Sequence, residues 1–264
     1  MSVKICVLAS GSKGNCTYIT DGTTRLLIDA GLSCRRIEAL LQGIGESLKN
    51  IDAILVTHEH TDHIMGLRTI DSKYNVPILC NQKTCTCIDV RLHINSTRWY
   101  KNNFDAGFKV GKIAVTPFRI AHDAVSPVGY VLTLDNKKIA YVTDLGYVTQ
   151  GVYDTVKGSE FVIIESNHDL KMLTNGSYPI DLQARIKGPN GHLSNVQSAE
   201  ISVALAQAGA KYLILAHLSE ENNTPQLALA VNKQAMAQNG FVVGSDVIVD
   251  VAYQDTPTQV YVLE

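Results

Sequence analysis

The sequence of 264 residues lacks a long apolar run, since no stretch approaches the roughly 20 consecutive apolar residues that a membrane-spanning helix needs. It also lacks an excess of either charge, because 23 Lys and Arg residues stand against 25 Asp and Glu residues, for a formal net charge of −2. A basic surface over the whole protein is therefore excluded, although a local basic patch for nucleic acid is not. Charged residues make up 18% and hydrophobic residues 45% of the chain, which excludes the composition of a disordered protein.

No two of the six cysteines form the Cys-x-x-Cys pattern of zinc-binding and redox motifs. The first ten residues lack the charged region and the cleavage site of an export signal, and they are typical of a first β-strand instead. We therefore expect a cytoplasmic protein whose cysteines are reduced thiols. The cysteines are Cys6, Cys16, Cys34, Cys80, Cys85 and Cys87.

Apolar periodicity and turn residues predict a chain of short strands with interspersed helices. Helices are predicted between Ser33 and Gly45, at 83–93, from an N-cap at Ser194 to about 208, and from an N-cap at Thr224 toward Gly240. Two strand-rich halves of this kind predict an α+β fold of two stacked sheets covered by helices on both faces, in one domain over residues 1–264. Strands are predicted at 4–9, 16–20, 25–29, 53–57, 113–119, 128–134, 138–143, 161–165, 212–216, 247–251 and 259–263, with a hairpin turn at Asp135 and Asn136.

The most informative stretch is Thr57-His-Glu-His-Thr-Asp-His63, which follows an apolar strand. In an extended segment residues i and i+2 point to the same side, so His58 and His60 can bind one ion. Asp62 and His63 then fall at the start of a short helix, where a carboxylate is favoured, and can face a second ion. Imidazole and carboxylate suit Zn²⁺, Mn²⁺ or Fe. The alternative, a surface loop rich in histidine by chance, fits poorly with a position directly after a buried strand.

Further candidate ligands lie near predicted strand or helix ends, where functional sites are usually assembled. His122, His192 and His217 each follow or adjoin such an end, and Asp144 follows the strand at 138–143. His93 has no such context and is predicted to be solvated.

In this order along the chain, the motifs resemble those of the metallo-β-lactamase fold superfamily. Residues 27–31, Leu-Ile-Asp-Ala-Gly, resemble the first motif of that superfamily. Residues 8–15, 165–169 and 191–195 are most similar to the YycJ/WalJ group of bacterial proteins. The resemblance implies a four-layer αββα sandwich and a metal-dependent exonuclease that degrades DNA from 5′ to 3′. It also implies an association with a cell-wall two-component system. RNA stays open as an alternative substrate.

The resemblance further implies a binuclear centre with two divalent ions (Zn, Mn or Fe) and a bridging hydroxide as the nucleophile. Asp62 would in addition orient that hydroxide. The implied ligands are His58, His60 and His122 for one ion, Asp62, His63 and His217 for the other, and Asp144 as the bridge.

His192 stands in a Gly-His-Leu-Ser-Asn stretch that resembles a motif of tRNA 3′-processing nucleases in the same superfamily. A histidine that is not a ligand can protonate the leaving oxygen or donate to a phosphoryl oxygen. The alternative is a ring that caps the helix after it. Asp29 is predicted to support a histidine ligand rather than to bind metal itself.

Other polar residues are candidates for substrate contact. Ser12 and Asn15 lie in a glycine-rich loop whose backbone N–H groups can bind a phosphate, although a plain turn is the alternative. His168 can contact metal or phosphate or bond within its own loop, and Ser194 is a candidate beside His192. Trp99 and its neighbour Tyr100 can stack on a base but fit a partly buried core better.

Fold alone does not choose among the activities of such a superfamily. The enzymatic alternative to an exonuclease is a thioesterase similar to glyoxalase II, or another small-molecule hydrolase, with no dependence on His192. The non-enzymatic alternative is a metal-bound regulator, which the complete set of implied ligands disfavours. A β-lactamase is disfavoured because Gly191 and His192 stand where a metal-binding cysteine is expected. The native metal, the polarity of digestion and the oligomeric state stay open.

Overall fold

A computed structural model describes residues 2–94 and 106–264 of the chain. Two mixed sheets contain thirteen strands in these ranges. The first sheet has the order β13-β1-β2-β3-β4-β5 and the second β12-β11-β10-β9-β8-β7-β6. The strands are β1 (Val3–Ala9), β2 (Cys16–Thr20), β3 (Arg25–Ile28), β4 (Ala53–Leu55), β5 (Ile78–Leu79), β6 (Phe108–Val110), β7 (Ile113–Arg119), β8 (Val128–Leu134), β9 (Lys137–Val142), β10 (Phe161–Glu165), β11 (Tyr212–Ala216), β12 (Ile248–Val251) and β13 (Tyr261–Leu263).

Nine helices accompany the sheets in the described ranges, together with a 3₁₀ turn at Leu48–Asn50. No helix there is both long and apolar enough to cross a membrane. The helices are α1 (Cys34–Gly43), α2 (Thr61–Ile64), α3 (Leu67–Tyr74), α4 (Gln82–Leu92), α5 (Gln150–Val156), α6 (Leu170–Asn175), α7 (Ile180–Lys187), α8 (Asn195–Gln207) and α9 (Pro225–Gln238).

Successive side chains along each strand point to opposite faces of its sheet, and the chain forms four layers. In β1, Ile5 and Val7 face the second sheet, whereas Cys6 and Leu8 face the helices on the outside of the first sheet. The central core joins apolar side chains of both sheets, and the outer two cores pack α1, α3 and α4 on one side and α5, α8 and α9 on the other. The predicted α+β sandwich of two stacked sheets covered by helices is therefore confirmed.

The predicted helix caps are also present. The Ser33 hydroxyl accepts a hydrogen bond at the start of α1, and Ser194 forms a capping box with Gln197 at the start of α8. Thr224 caps α9, which has Pro225 at its first position. Asp135 and its neighbour Asn136 have φ values of 44° and 66°, as a two-residue hairpin turn requires.

The short helix expected at Asp62 and His63 is present as α2. Other short elements were not predicted, chiefly α3, α5, α6 and α7 and the strands β5 and β6. These elements are too short to show a clear period in apolar residues. The strand at 53–57 is shorter than predicted, because β4 ends at Leu55, and the strand at 138–143 is shifted by one residue, because β9 runs from Lys137 to Val142. The pair Trp99 and Tyr100 lies outside the described residues.

Candidate metal centre

Loops that follow strands of both sheets meet at one edge of the sandwich. The loop after β4 carries His58 and His60, and its continuation into α2 carries Asp62 and His63. From the second sheet, His122 follows β7, Asp144 follows β9 and His217 follows β11. The fold thus brings together the seven side chains that the sequence analysis selected as ligands.

Unusual backbone at three strand ends helps to direct these side chains. Asp29 after β3, Asp144 after β9 and His217 after β11 have φ values of 59°, 60° and 54°. Residues other than glycine rarely adopt this left-handed region, at a cost of roughly 1–2 kcal/mol each. Such outliers gather at functional sites, where the surrounding fold imposes them.

Three imidazole nitrogens converge in the first half of the cluster. His58 Nε2 lies 3.0 Å from His60 Nδ1, which lies 3.3 Å from His122 Nε2. All three atoms lie within 4.8 Å of one another, a spacing that one cation can bridge.

The second half of the cluster has the same form. Asp62 Oδ2 lies 3.3 Å from His63 Nε2 and 3.6 Å from His217 Nε2. Asp144 lies between the halves, because its Oδ2 is 3.5 Å from His63 Nε2 and its Oδ1 is 3.9 Å from His122 Nε2. One carboxylate therefore faces both groups.

Two atoms of the cluster are buried without a hydrogen-bond partner among the described residues, namely Asp144 Oδ2 and His217 Nε2. Such orphaned atoms are costly unless something satisfies them. The ring nitrogens of His58, His60 and His122 also face one another, so their lone pairs repel unless a positive charge lies between them. The mixed nitrogen and oxygen donors suit borderline divalent cations, so the residues present fit metal ions.

Asp29 supports two of the histidines from behind. His63 Nδ1 donates to Asp29 Oδ2 over 2.8 Å, and the Thr57 hydroxyl also donates to Asp29. The same hydroxyl lies 3.0 Å from His58 Nδ1 and accepts its hydrogen. These bonds leave Nε2 of both rings for the cluster, and Asp29 lies where the sequence analysis expected a supporting residue.

Gly31 allows the loop around Asp62 to approach closely. A Cβ atom at Gly31 would lie 1.5 Å from the Asp62 carbonyl oxygen. Because this oxygen belongs to the backbone, a change of side-chain rotamer could not relieve the clash. The glycine of the first motif is therefore required by the contact between two loops.

Glu165 is the site residue that the sequence analysis did not select. It ends β10, is fully buried, and its Oε1 accepts from His192 Nδ1 over 2.8 Å and from His217 Nδ1 over 2.9 Å. Its Oε2 accepts from the backbone N–H groups of Leu145 and Leu193. Burial raises the pKa of Glu165, but His192 and His217 outweigh burial and hold that pKa below its ordinary value.

Because Glu165 orients two histidines, replacing it by glutamine is expected to weaken metal binding and slow hydrolysis by about 10- to 100-fold. A glutamine oxygen can satisfy only part of this arrangement, and it carries no charge. Competition with a chelator measures the affinity. Glu160→Gln is a matched control, since Glu160 precedes β10 and pairs with Lys137 and Lys211 instead. Unchanged affinity and turnover in Glu165→Gln would contradict this role.

Carboxylates surround His217 and raise its pKa. Burial lowers the pKa of His217, but the carboxylates of Asp144, Asp62 and Glu165 raise it to about 10. A cation held between these groups would replace that proton, so metal binding would release protons.

The glycine-rich loop at residues 10–15 touches the cluster through side chains. Asn15 Nδ2 lies 3.3 Å from Asp62 Oδ2 and 3.1 Å from His63 Nε2, and the Ser10 hydroxyl accepts from the His217 N–H over 2.8 Å. Asn15 is buried and thus holds Asp62 in place, whereas Ser12 lines the cavity in front of the cluster.

His192 lines the same cavity, and its ring centre lies 5.1 Å from that of His122. Its Nδ1 donates to Glu165, and Nε2 is left for the cavity. His122 Nδ1 lies 3.3 Å from the Gly191 carbonyl oxygen, so this loop also orients a predicted ligand. Ser194 rather than His192 caps α8.

A further cluster unites Asp144, Glu165, His192 and His217 within 4.8 Å. In this cluster Nδ1 of His192 and Nδ1 of His217 both donate a hydrogen to Glu165. A nitrogen that carries a hydrogen has no lone pair with which to bind a cation.

The remaining two candidates lie away from the cavity. His168 is buried, lacks a partner for either ring nitrogen among the described residues, and burial lowers its pKa to about 4. Its carbonyl oxygen accepts from the Asn195 N–H. Ser194 is buried at the start of α8. His93 is exposed, as predicted.

A cavity of about 300 Å³ opens in front of the cluster. Five of the predicted ligand side chains line it, together with Ser12, His192 and residues from the segment around α7. The five are His60, Asp62, His122, Asp144 and His217.

Comparison with known families gives the same result as this geometry. A family model described as a beta-lactamase superfamily domain matches residues 24–218. The chain belongs to this superfamily. The family, its metallo-β-lactamase fold and the likeness to the YycJ/WalJ group are thereby confirmed, and the chain is a metal-dependent hydrolase.

Two curated relatives match over nearly the whole chain. Exodeoxyribonuclease YycJ of Bacillus anthracis is 38% identical over 92% of this chain and 93% of its own. Exodeoxyribonuclease WalJ of Streptococcus pneumoniae is 37% identical over 97% of this chain and 96% of its own.

Solved structures share the fold at low identity. The metallo-β-lactamase fold protein YhfI from Bacillus subtilis has a TM-score of 0.72 at 16% identity, over 98% of this chain and 99% of its own. A diphosphatase from the PhnP family has a TM-score of 0.68 at 17% identity, over 100% of this chain and 98% of its own.

Proposed function

We propose that the protein is an exodeoxyribonuclease that uses two divalent cations (Zn, Mn or Fe) and degrades DNA from 5′ to 3′. The observation that carries this proposal is the pair of three-ligand groups with Asp144 between them. Within each group the donor atoms lie within 4.8 Å of one another, and Asp144 Oδ2 and His217 Nε2 are buried without a hydrogen-bond partner among the described residues. The names of the relatives YycJ and WalJ support DNA as the substrate.

In this proposal His58, His60 and His122 hold one cation, and Asp62, His63 and His217 hold the other. Asp144 contacts both. Such a pair of cations supplies Lewis-acid stabilisation of a phosphoryl group and lowers the pKa of water. Asn15 fixes the Asp62 carboxylate, and Asp29 and Glu165 hold the rings in the orientation that binding needs.

In the same proposal, His192 is the general acid. Glu165 accepts the hydrogen of Nδ1 and thereby orients the ring. The hydrogen on Nε2 then passes to the 3′ oxygen that leaves when the phosphodiester bond breaks.

We further propose that residues 1–264 form a single metallo-β-lactamase-like domain that works in the cytoplasm. The central core, which contains side chains of both sheets, supports one domain. No disulfide joins the six cysteines, all of which lie among the described residues, and this fits a reducing compartment.

The test of this function is hydrolysis of bis-p-nitrophenyl phosphate with Mn²⁺ or Zn²⁺. Wild type is expected to turn over, whereas Asp62→Ala is expected to lose nearly all activity, because its carboxylate faces His63 and His217. Asp154→Ala, which removes an exposed aspartate on α5, is the matched control. Release of nucleotides from DNA and RNA labelled at the 5′ or 3′ end then gives substrate and polarity. Turnover of a thioester alone would contradict the proposal.

A further inference from the structure

The segment from α6 to α7 contributes little to the core. Leu173 is the buried residue of α6, and α7 has none. Ile180 is 82% exposed at the start of α7. Packing against the core therefore does not explain why this segment has apolar side chains.

Three apolar side chains of this segment face the cavity instead of the core. Tyr178, Leu182 and Ile186 are half-buried and line the cavity. Leu182 and Ile186 are four residues apart and so lie on one face of α7, whereas Tyr178 precedes the helix. These three side chains form an apolar wall of the cavity, and carboxylate and imidazole groups of the predicted metal ligands line the same cavity.

Several bonds fix this apolar wall. The Gln183 side chain donates to the Tyr178 carbonyl oxygen over 2.9 Å, and the His192 N–H donates to the Ile186 carbonyl oxygen over 2.9 Å. Arg185 forms an ion pair with Asp123 at the rim, 2.5 Å between Nη2 and Oδ2. The pair neutralises a carboxylate that would otherwise repel phosphate groups entering the cavity.

We propose that this cavity is a subsite for one nucleotide at the DNA end, in which the Tyr178 ring stacks on the terminal base. The inference rests on the proposed function. With the scissile phosphate at the ligand cluster, the adjoining nucleoside would lie in the same cavity, against its apolar wall. A volume of about 300 Å³ is at the small end of ligand pockets, which fits one nucleotide unit. Stacking on an aromatic ring accepts any base, as an exonuclease needs.

The test uses single-stranded DNA with a normal or an abasic 5′-terminal nucleotide, the latter a tetrahydrofuran analogue. Wild type is expected to show a kcat/KM about 10-fold or more higher on the normal end, the scale of one base–aromatic stack. In Tyr178→Ala this ratio is expected to fall to about 1–2, because no ring is left to stack on. Tyr178→Phe is expected to keep the wild-type ratio. Tyr147→Ala is the matched control, because Tyr147 is exposed and does not line the cavity.

Several results would overturn the subsite. These are a wild-type ratio near 1, a ratio that Tyr178→Ala does not change, and a ratio that Tyr178→Phe loses like alanine. The wild-type comparison needs no variant, so a misfolded mutant cannot obscure it. Failure to hydrolyse bis-p-nitrophenyl phosphate would instead overturn the proposed function. Digestion that starts at the 3′ end would overturn the polarity alone, and the same comparison then applies to the 3′-terminal nucleotide.

Discussion

Replacing Asp144 by asparagine is expected to lower phosphodiester hydrolysis on the order of 10³-fold, because a cation contributes several kcal/mol to the transition state and each ~1.4 kcal/mol is a factor of ten. Asp144 is the carboxylate that faces both ligand groups, and its Oδ2 is buried without a partner among the described residues. Asparagine keeps the shape but removes the charge. We expect bound metal to fall from two ions per chain to at most one, as elemental analysis of the purified variant would measure.

Asp154→Asn is the matched control for this experiment, since Asp154 is exposed on α5 and pairs with Lys157. Circular dichroism shows whether each variant is folded. A folded Asp144→Asn protein that keeps two ions and wild-type turnover would contradict the bridging role of this carboxylate.

The second large effect is expected for His192→Ala, which should slow DNA cleavage by about 10²-fold or more, the usual scale for a general acid. Metal content should stay near the wild-type value, because His192 Nδ1 bonds to Glu165 and the ring is not among the proposed ligands. The loss should be much smaller on bis-p-nitrophenyl phosphate, because p-nitrophenolate leaves without a proton. The ratio of the two losses thus separates an acid from a merely structural residue.

His93→Ala is the matched control for His192→Ala, since His93 is exposed at the end of α4. Loss of metal from His192→Ala would make His192 a ligand. Equal losses of cleavage rate on DNA and on bis-p-nitrophenyl phosphate would contradict the role of His192 as the general acid.

The fold was predictable where segments are long and carry local signals. Strands such as β8 and β10 have continuous apolar runs, and α8 and α9 begin at a capping residue that is recognisable in the sequence. By contrast, α7 has no buried residue and therefore no apolar face directed at the core. Leu182 and Ile186 of this helix line the cavity instead, which could be recognised only once the fold was known.

The site was predictable where its residues are close in sequence, as in the His58–His63 loop. Glu165 was not selected because its role depends on strand order. β10 lies between β9 and β11 in parallel, so the ends of these strands bring Asp144, Glu165 and His217 together. One local signal was present, because Glu165 is the charged residue at the end of an otherwise apolar strand. Likewise, the contact of Asn15 with Asp62 joins residues 47 positions apart.

The most direct test of the binuclear centre is a titration of metal-free protein with Mn²⁺ that follows binding and DNA cleavage together. We expect two ions to bind per chain, with proton release, and cleavage to rise with the second equivalent. Binding and activity that both saturate at one equivalent would contradict a centre in which Asp144 joins two ions.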